Sequence, residues 1–234
     1  MNLFAALIPR DSQVLEIGSH IGYVAQHYSA LVGPLGRVFC FEPSPENLPY
    51  LKANVERSAL RNIEIVEAAA GNRDGSATFF YESITGQNST VVPDFRGLEI
   101  NSSFNALPTG YQTCTVPMKK VDSFLAERQI GVGLTTKDVN FIKIDAEGGE
   151  RDILLGMTDT MRRHPRLMVE INTNHAEVFG ILTAAGYLLF DPSRVPVLSP
   201  DPGVFGGNIF AIHPTDTIAL QIMRMALPDA TPES

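Results

Sequence analysis

The 234-residue sequence predicts an α/β fold, with a mostly parallel sheet and helices on both of its faces. Short apolar runs typical of strands alternate with segments of helical periodicity along the chain. The run at residues 139–145 is almost continuously apolar, as expected for a strand that is covered on both faces. A strand also enters a helix through a glycine turn at Gly18, an arrangement that forms nucleotide pockets in open α/β sheets.

The individual elements follow from apolar periodicity and from turn residues. We expect sheet strands at residues 14–17, 37–42, 63–67, 139–145, 166–171, 187–190 and 208–213. Helices are expected at residues 22–31, 45–58, 121–128 and 175–185, with another after Glu150 and a short one beyond Pro214. Residues 77–81 indicate an extra strand, and residues 114–118 an edge strand, because Pro117 cannot donate a ladder hydrogen bond.

We interpret the whole chain, residues 1–234, as a single domain. The periodicity fades at residues 83–113, which are rich in Ser, Asn, Gly, Pro and Thr. A structureless segment of this length is uncommon in a compact domain unless it is functional or disordered, so we expect a lid or an acceptor-binding insertion there. A frayed tail is expected from about residue 226.

Composition and charge narrow the class of partner. The chain is 44% hydrophobic and 19% charged, as in soluble globular proteins, and its formal charge is −8. An acidic chain is a poor match for a nucleic-acid backbone, so we expect a small molecule or a neutral sugar instead. The two cysteines have neither metal-site nor disulfide spacing, which favours a reducing cytoplasm. No apolar run approaches the roughly 20 residues of a membrane helix, so no membrane association is expected.

The glycine turn favours one class of nucleotide. The sequence Gly18-Ser-His-Ile-Gly22 lacks the middle glycine that lets a backbone approach a pyrophosphate in dinucleotide-binding proteins. Glu42 ends the next strand, 24 residues after Gly18, where a carboxylate can accept hydrogen bonds from both ribose hydroxyls. Residues 68–72 are small, so a flat ring could lie against their backbone. Ribose without pyrophosphate fits S-adenosylmethionine better than NAD.

Polar residues follow several of the expected strands. Gly18, Glu42, the Asp145–Glu147 turn and Glu170 all lie at carboxyl ends of strands. In open α/β sheets the ligand binds beyond these ends, at the point where the strand order reverses. We therefore expect these side chains to gather at one functional edge of the sheet.

These segments together resemble the FkbM-type family of S-adenosylmethionine-dependent methyltransferases. The matching segments are residues 14–23, 38–47, 67–75, 141–150 and 166–170, and the most specific is Lys143-Ile-Asp145-x-Glu147-Gly148-x-Glu150. The resemblance implies a Rossmann-like class I methyltransferase sandwich, with a seven-stranded, mostly parallel sheet and an antiparallel last strand. It also implies that Gly18 contacts the methionine part of the cofactor and that Glu42 binds its ribose.

The expected cofactor-binding residues are gathered from these motifs: Glu16, Gly18, His20, Gly22, Glu42, Pro43, Ala69, Ala70 and Asp145. The chain departs from the family at Ser19-His20, where members usually have Ala-Asn. His20 could bind the cofactor carboxylate or lie near the acceptor, or it could be a helix-start residue without such a role.

Methyl transfer to a hydroxyl group is helped by a base, and the strand ends supply candidates. Asp145 and Glu147 are the first candidates, because they lie at the ligand edge of the sheet. Lys143 could orient the acceptor oxygen or pair with a carboxylate, and His175 is a further candidate base. Asp145, Glu147 and Glu170 could also gather oxygens for Mg²⁺, but no fixed ligand spacing supports a metal site.

The expected function is therefore methylation of a hydroxyl group on a sugar or natural product. An N- or C-methyltransferase is the nearest alternative within the same class of enzyme. A nucleotide-sugar or NAD-dependent oxidoreductase is disfavoured by the missing middle glycine and by the absence of a Tyr-x-x-x-Lys pair. A catalytically silent binding module with the same fold is the third possibility.

Overall fold

The structure is a computed structural model that describes residues 3–59, 61–81, 89–93, 112–135 and 138–224. Most of the insertion expected at residues 83–113 lies outside these ranges, as does the tail expected from about residue 226. Residues 89–93 of the insertion are described, and Ser89, Thr90 and Val91 line the candidate site. None of the helices within these ranges is long and apolar enough to cross a membrane.

The described strands and helices are numbered along the chain. The strands are β1 Gln13–Ile17, β2 Arg37–Phe41, β3 Ile63–Val66, β4 Ala69–Ala70, β5 Gly75–Tyr81, β6 Gln112–Lys119, β7 Val139–Ile144, β8 Arg166–Ile171, β9 Leu188–Phe190 and β10 Gly207–Ile212. The helices are α1 Leu3–Leu7, α2 Tyr23–Val32, α3 Leu48–Arg57, α4 Val121–Glu127, α5 Glu150–Leu155, α6 Thr158–Met161, α7 His175–Ala184 and α8 Thr217–Arg224.

The main sheet has seven strands in the order β3-β2-β1-β7-β8-β10-β9. Strands β3, β2, β1, β7 and β8 pair in parallel, whereas β10 lies antiparallel between β8 and β9. The strand order changes direction at β1. Strands β2 and β3 follow on one side of it, and β7 and β8 lie on the other. The α/β class, the seven strands and the antiparallel last strand are thus confirmed.

The sheet is covered on both faces, and the alternation along β1 shows how. Leu15 and Ile17 pack into a cluster with residues of α4, α5 and α7, whereas Val14 packs with residues of α1, α2 and α8 on the opposite face. Side chains of a strand alternate between faces, so both sides of β1 are apolar and buried. The exception is Glu16, which shares the face of Val14 and is fully buried.

A second, three-stranded sheet has the order β4-β6-β5. Strand β6 lies between the other two, although Pro117 led us to expect an edge strand. The physical reason is local: β4 pairs with β6 at Met118 and Lys119, beyond Pro117, which itself pairs with Ser76 of β5. Within the described residues, β6 therefore has β5 alone as its neighbour at Pro117, and the missing donor disrupts no second ladder.

The start of α3 differs from the sequence-based expectation, which placed it at Pro45. The helix begins at Leu48, after a turn in which Ser44 Oγ accepts a 3.4 Å hydrogen bond from the Asn47 N–H group. Proline is tolerated in the first turn of a helix, where its missing donor costs nothing, but not in the interior. A start at Leu48 places Pro49 in that first turn.

A buried ion pair joins the two ends of the described chain to the sheet. Arg166 of β8 binds Asp216 through Nε at 2.6 Å and Nη2 at 3.2 Å, and it also donates to the Leu7 carbonyl of α1. Asp216 Oδ1 accepts the Ala219 N–H group at 3.0 Å, which caps α8. This brace lies outside the candidate site.

Candidate active site

A cleft of about 260 Å³ lies at the carboxyl ends of the parallel strands. Its walls come from the ends of β1, β2, β7 and β8, from the small-residue stretch after β3, and from residues 89–91 of the insertion. The lining residues are Ile17, Gly18, His20, Phe41, Glu42, Pro43, Asn47, Ala68, Ala69, Ala70, Phe79, Ser89, Thr90, Val91, Asp145, Ala146, Glu147, Gly149 and Glu170. The cleft is therefore at the edge predicted from the strand ends.

Gly18 makes the close approach at the floor of the cleft possible. Its φ is +81°, and a Cβ atom there would lie 1.7 Å from the Asp145 carbonyl oxygen. The N–H groups of Gly18 and Ser19 both donate to the Phe41 carbonyl at 3.1 Å, so the turn is fixed to the end of β2. Only glycine adopts this conformation without strain and leaves room for the neighbouring strand.

Glu42 is the best-defined polar residue of the cleft. Its Oε2 atom accepts the His20 N–H group at 2.7 Å, and Oε1 accepts the Ser44 N–H group at 2.8 Å and the Asn47 amide at 3.3 Å. Burial raises the pKa of Glu42 to about 7, and the hydrogen bonds from Ser44 and His20 act in the opposite direction. A carboxylate offers about four lone-pair positions, so Oε2 can accept one further donor.

Small side chains lie beside Glu42. Ala68, Ala69 and Ala70 are at most 6% exposed, and they line the cleft together with Phe79. His20 also lines the cleft at φ +51°, and its Nε2 atom is buried without a hydrogen-bond partner among the described residues. This combination places small apolar side chains in the same cleft as a carboxylate and an unsatisfied imidazole nitrogen.

A buried polar group supports the floor of the cleft from behind. Glu16 of β1 pairs in register with Cys40 of β2 and Lys143 of β7, and Cys40 Sγ lies 3.7 Å from Glu16 Oε2. Glu16 is fully buried, and burial raises its pKa to about 7 while the charge of Lys143 opposes that change. Neither Glu16 nor Lys143 lines the cleft, so their influence on it passes through neighbouring residues.

Two carboxyl groups meet at the ends of β7 and β8. Lys143 Nζ binds Asp145 Oδ2 at 2.8 Å, with the Lys143 side chain 8% and the Asp145 side chain 26% exposed. Glu170 lies beside Asp145, and burial, the Asp145 charge and a hydrogen bond between the two side chains raise the pKa of Glu170 to about 7. Glu170 therefore favours its protonated form more than an ordinary glutamate does, with Lys143 as the nearby cation.

The loop between β7 and α5 carries Glu147 into the cleft. Glu147 has φ +47° and Gly148 has φ +94°, so the chain reverses sharply through two left-handed residues. Glu150 stabilises this reversal, because its Oε1 atom accepts the N–H groups of Ala146 and Gly148, each at 3.1 Å. Burial and the charges of Asp145 and Glu150 raise the pKa of Glu147 to about 7.

Thr90 connects the insertion to this loop. Its hydroxyl donates to the Glu147 carbonyl at 2.8 Å and accepts the Val92 N–H group at 3.0 Å. Thr90 and Phe80 also exchange backbone hydrogen bonds of 2.8 and 2.9 Å, which attach the segment to β5. The described part of the insertion therefore forms a wall of the cleft next to Glu147.

The structure brings most of the expected site residues together. Gly18, His20, Glu42, Pro43, Ala69, Ala70, Asp145 and Glu147 all line the cleft. Gly22 lies behind it, where a Cβ atom would come within 2.5 Å of Leu51 Cδ1. His175 begins α7 and packs edge-on against Phe205, and it is not among the lining residues.

Several residues that line the cleft or support its walls were not expected from the sequence. Asn47 and Ser44 follow Glu42 in the Glu-Pro-Ser-Pro-Glu-Asn segment, and their polar character next to a strand end was the available signal. Thr90 and Glu150 act through loop hydrogen bonds that leave no periodic signature. The described residues contain no group of three or more His, Cys, Asp or Glu side chains arranged to hold a metal ion, and Asp145, Glu147 and Glu170 form none there.

Comparison with known proteins gives a family match. The profile of the methyltransferase FkbM domain matches residues 16–189. Methyltransferase 1 of Beauveria bassiana is 26% identical over 163 residues, covering 66% of this chain and 61% of that protein. A protein-L-isoaspartate O-methyltransferase of Methanococcoides burtonii is 30% identical over 122 residues, covering 50% of this chain and 58% of that protein. The chain thus spans less than two thirds of the length of either relative.

Among solved structures, a protein described as an rRNA methylase of Clostridium thermocellum matches with a TM-score of 0.51 at 9% identity. The match covers 90% of each chain. At this identity the likeness concerns the fold alone.

Proposed function

The chain belongs to the FkbM methyltransferase family, and we propose that it transfers a methyl group from S-adenosylmethionine to a hydroxyl group of a small molecule. The acceptor that we propose is a sugar or a natural product. The observation that carries the proposal is the cleft at the strand ends, in which the buried Glu42 carboxylate faces a loop with further carboxyl groups. The two sides correspond to a cofactor side and an acceptor side.

The residues on the first side fit the cofactor. Glu42 retains one of its four lone-pair positions, on Oε2, for a ribose hydroxyl, and the alanines at 68–70 leave small apolar side chains where adenine could lie. The unsatisfied Nε2 atom of His20 is available for a polar group of the methionine part. Asp145, Glu147 and Glu170 give the remaining wall a negative character that favours a cation.

S-adenosylmethionine, when bound, supplies an activated methyl group that leaves sulfur by in-line displacement. The acceptor oxygen forms its bond to the methyl carbon as the sulfur–carbon bond breaks, and its proton must go to a base. We assign that role to Glu147, because it lines the cleft and its raised pKa of about 7 suits a base at neutral pH. Beside it, Lys143 Nζ binds Asp145 Oδ2 at 2.8 Å.

The charge of the site favours an uncharged or cationic acceptor. Four carboxyl groups line the cleft, those of Glu42, Asp145, Glu147 and Glu170, whereas Lys143 is not a lining residue and is paired with Asp145. A phosphorylated or otherwise anionic acceptor would meet repulsion there. The formal charge of −8 supports the same choice and disfavours nucleic acid as the acceptor.

The first test is calorimetric titration of the purified protein with S-adenosylhomocysteine and, separately, with NADH. We expect the first to bind and Glu42→Ala to weaken its affinity at least about tenfold, because a charge-assisted hydrogen bond to ribose is lost. Glu46→Ala is the matched control, since Glu46 is an exposed acid four residues further along the chain. Binding of NADH alone, or of neither compound, would contradict the proposal.

Transfer itself is measured with S-adenosylmethionine labelled in its methyl group and a panel of sugars and hydroxylated natural products. We expect label in an ether linkage of an uncharged acceptor. Label found on nitrogen would replace the hydroxyl assignment with N-methylation while leaving the cofactor assignment intact.

A further inference from the structure

The peptide group between Glu147 and Gly148 is held from both of its sides. Its carbonyl oxygen accepts the Thr90 hydroxyl at 2.8 Å, and its N–H group donates to Glu150 Oε1 at 3.1 Å. The same Glu150 oxygen also accepts the Ala146 N–H group at 3.1 Å. Fixing a peptide plane fixes ψ of the preceding residue and φ of the following one. The direction in which the Glu147 side chain leaves the backbone is therefore determined by these two partners.

Both partners are buried, which makes their hydrogen bonds effective. Thr90 and Glu150 are each only 1% exposed. Buried donors and acceptors are costly to leave unpaired, so the contacts persist as long as the loop keeps this conformation. Glu147 itself has φ +47°, a left-handed conformation that costs a non-glycine residue about 1 kcal/mol and persists only when its surroundings enforce it.

We propose that Thr90 and Glu150 are positioning residues that clamp the Glu147–Gly148 peptide and so direct the Glu147 carboxyl group toward the acceptor. The direction toward an acceptor rests on the function proposed above, whereas the clamp itself does not. Thr90 belongs to the insertion and Glu150 begins α5, so the clamp couples the acceptor-side wall to the loop that carries the base. Binding of an acceptor on the insertion side of the cleft would therefore change the position of Glu147.

Each partner offers a matched pair of variants. Thr90→Val keeps the branched shape but removes the hydroxyl, whereas Thr90→Ser keeps the hydroxyl. Glu150→Ala removes the acceptor, whereas Glu150→Gln keeps an oxygen that can accept both N–H groups. In each pair the second variant is the control for the first.

Two measurements report on the clamp without any acceptor or cofactor. The first is hydrogen exchange of the Gly148 amide, observed by NMR. The second is the pH midpoint of the Glu147 carboxyl group, followed by ¹³C NMR. Asp145, Glu150, Lys143 and Glu170 are the charged groups that act on Glu147, and they are unchanged in the Thr90 variants.

We expect Glu150→Ala to speed Gly148 exchange about tenfold or more, since its hydrogen bond is lost, and Glu150→Gln to stay within about threefold of the parent. Thr90→Val should lower the Glu147 midpoint toward the ordinary glutamate value, because a released side chain moves into water, and Thr90→Ser should keep it. A purely structural role would lower Tm and speed exchange throughout the chain without moving that midpoint.

The proposal is overturned if Thr90→Val matches Thr90→Ser and Glu150→Ala matches Glu150→Gln in both measurements. Titration of the parent protein with S-adenosylhomocysteine is run alongside and separates the two proposals. Failure of that binding contradicts the cofactor assignment, whereas normal binding with indistinguishable variants contradicts the clamp.

Discussion

Glu42 combines a raised pKa with a free acceptor position suited to a ribose hydroxyl, and this combination makes cofactor affinity depend on pH. Its pKa in the ligand-free protein is about 7, chiefly because the carboxyl group is buried. Ribose hydroxyls donate hydrogen bonds, so they favour the ionised carboxylate. Below pH 7 an increasing fraction of the protein must lose a proton before it binds. Affinity should therefore fall as the pH is lowered.

We expect S-adenosylhomocysteine to bind about tenfold more weakly at pH 6 than at pH 8, because pH 6 lies one pH unit below the Glu42 pKa. Calorimetry of the parent protein and of Glu42→Gln at both pH values measures this. Glu42→Gln should bind more weakly at pH 8 but lose most of the pH dependence. An equal pH dependence in both proteins would assign the titrating group elsewhere in the cleft.

At the scale of single elements, Gly18 shows how a turn depends on one missing side chain. The Gly18→Ala substitution introduces a Cβ atom 1.7 Å from the Asp145 carbonyl oxygen, at φ +81°. The ends of β1 and β7 must then separate, so we expect a loss of at least about 2 kcal/mol of stability together with loss of cofactor binding. The absence of a side chain at Gly18 is thus required both for the packing of β1 beside β7 and for the shape of the cleft.

Gly180 is the matched control for this substitution. It lies within α7, and nothing is within 4 Å of a Cβ atom placed there. Gly180→Ala should stabilise the protein by about 0.5–1 kcal/mol, because alanine is the better helix former. Urea unfolding of both variants gives the comparison. A Gly18→Ala protein as stable as Gly180→Ala would contradict the close approach of β1 and β7.

The elements also show what sequence patterns can and cannot predict. The seven main strands follow from apolar runs, because strands buried on both faces carry a strong local signal. The second sheet was not expected as a unit, since β4 has two residues and its partner β6 lies far along the chain. Glu42 and Asp145 could be placed in the site because strand ends share an edge. The contacts of Thr90 and Glu150 depend on loop conformation, which periodicity does not encode.

At the scale of the whole molecule, several buried carboxyl groups lie in or near the candidate site. Burial is the first cause of a pKa raised to about 7 at Glu16, Glu42, Glu147, Glu150 and Glu170. Each of these groups is ordinarily ionised at neutral pH in an unfolded chain. The ligand-free protein therefore contains a set of carboxyl groups that favour protonation. Burying them costs stability, as expected where a sheet edge serves a function.

This set determines how stability changes with pH. Between the ordinary glutamate value of 4.5 and about 7, the folded protein retains protons that the unfolded chain has released. The contribution of these protons to stability is complete below the ordinary glutamate pKa, and it is lost as the pH rises through the pKa of the folded protein. The ligand-free protein should therefore have a higher Tm at pH 5.5 than at pH 8.

Glu16 gives the sharpest test, because it is fully buried and does not line the cleft. Glu16→Gln removes the need to bury a charge above pH 7, and it also removes the attraction of Lys143, so we expect a net gain of about 2 kcal/mol at pH 8. At pH 5.5 the gain should be small, since Glu16 is already protonated there. Exposed Glu177 of α7 supplies the control, and Glu177→Gln should leave the profile unchanged. Thermal unfolding of the three proteins from pH 5 to 8 measures the slopes. If Glu16→Gln is less stable than the parent protein at pH 8, Glu16 is held as an ionised partner of Lys143, and the acidic site is stabilised by charge pairing rather than by protonation.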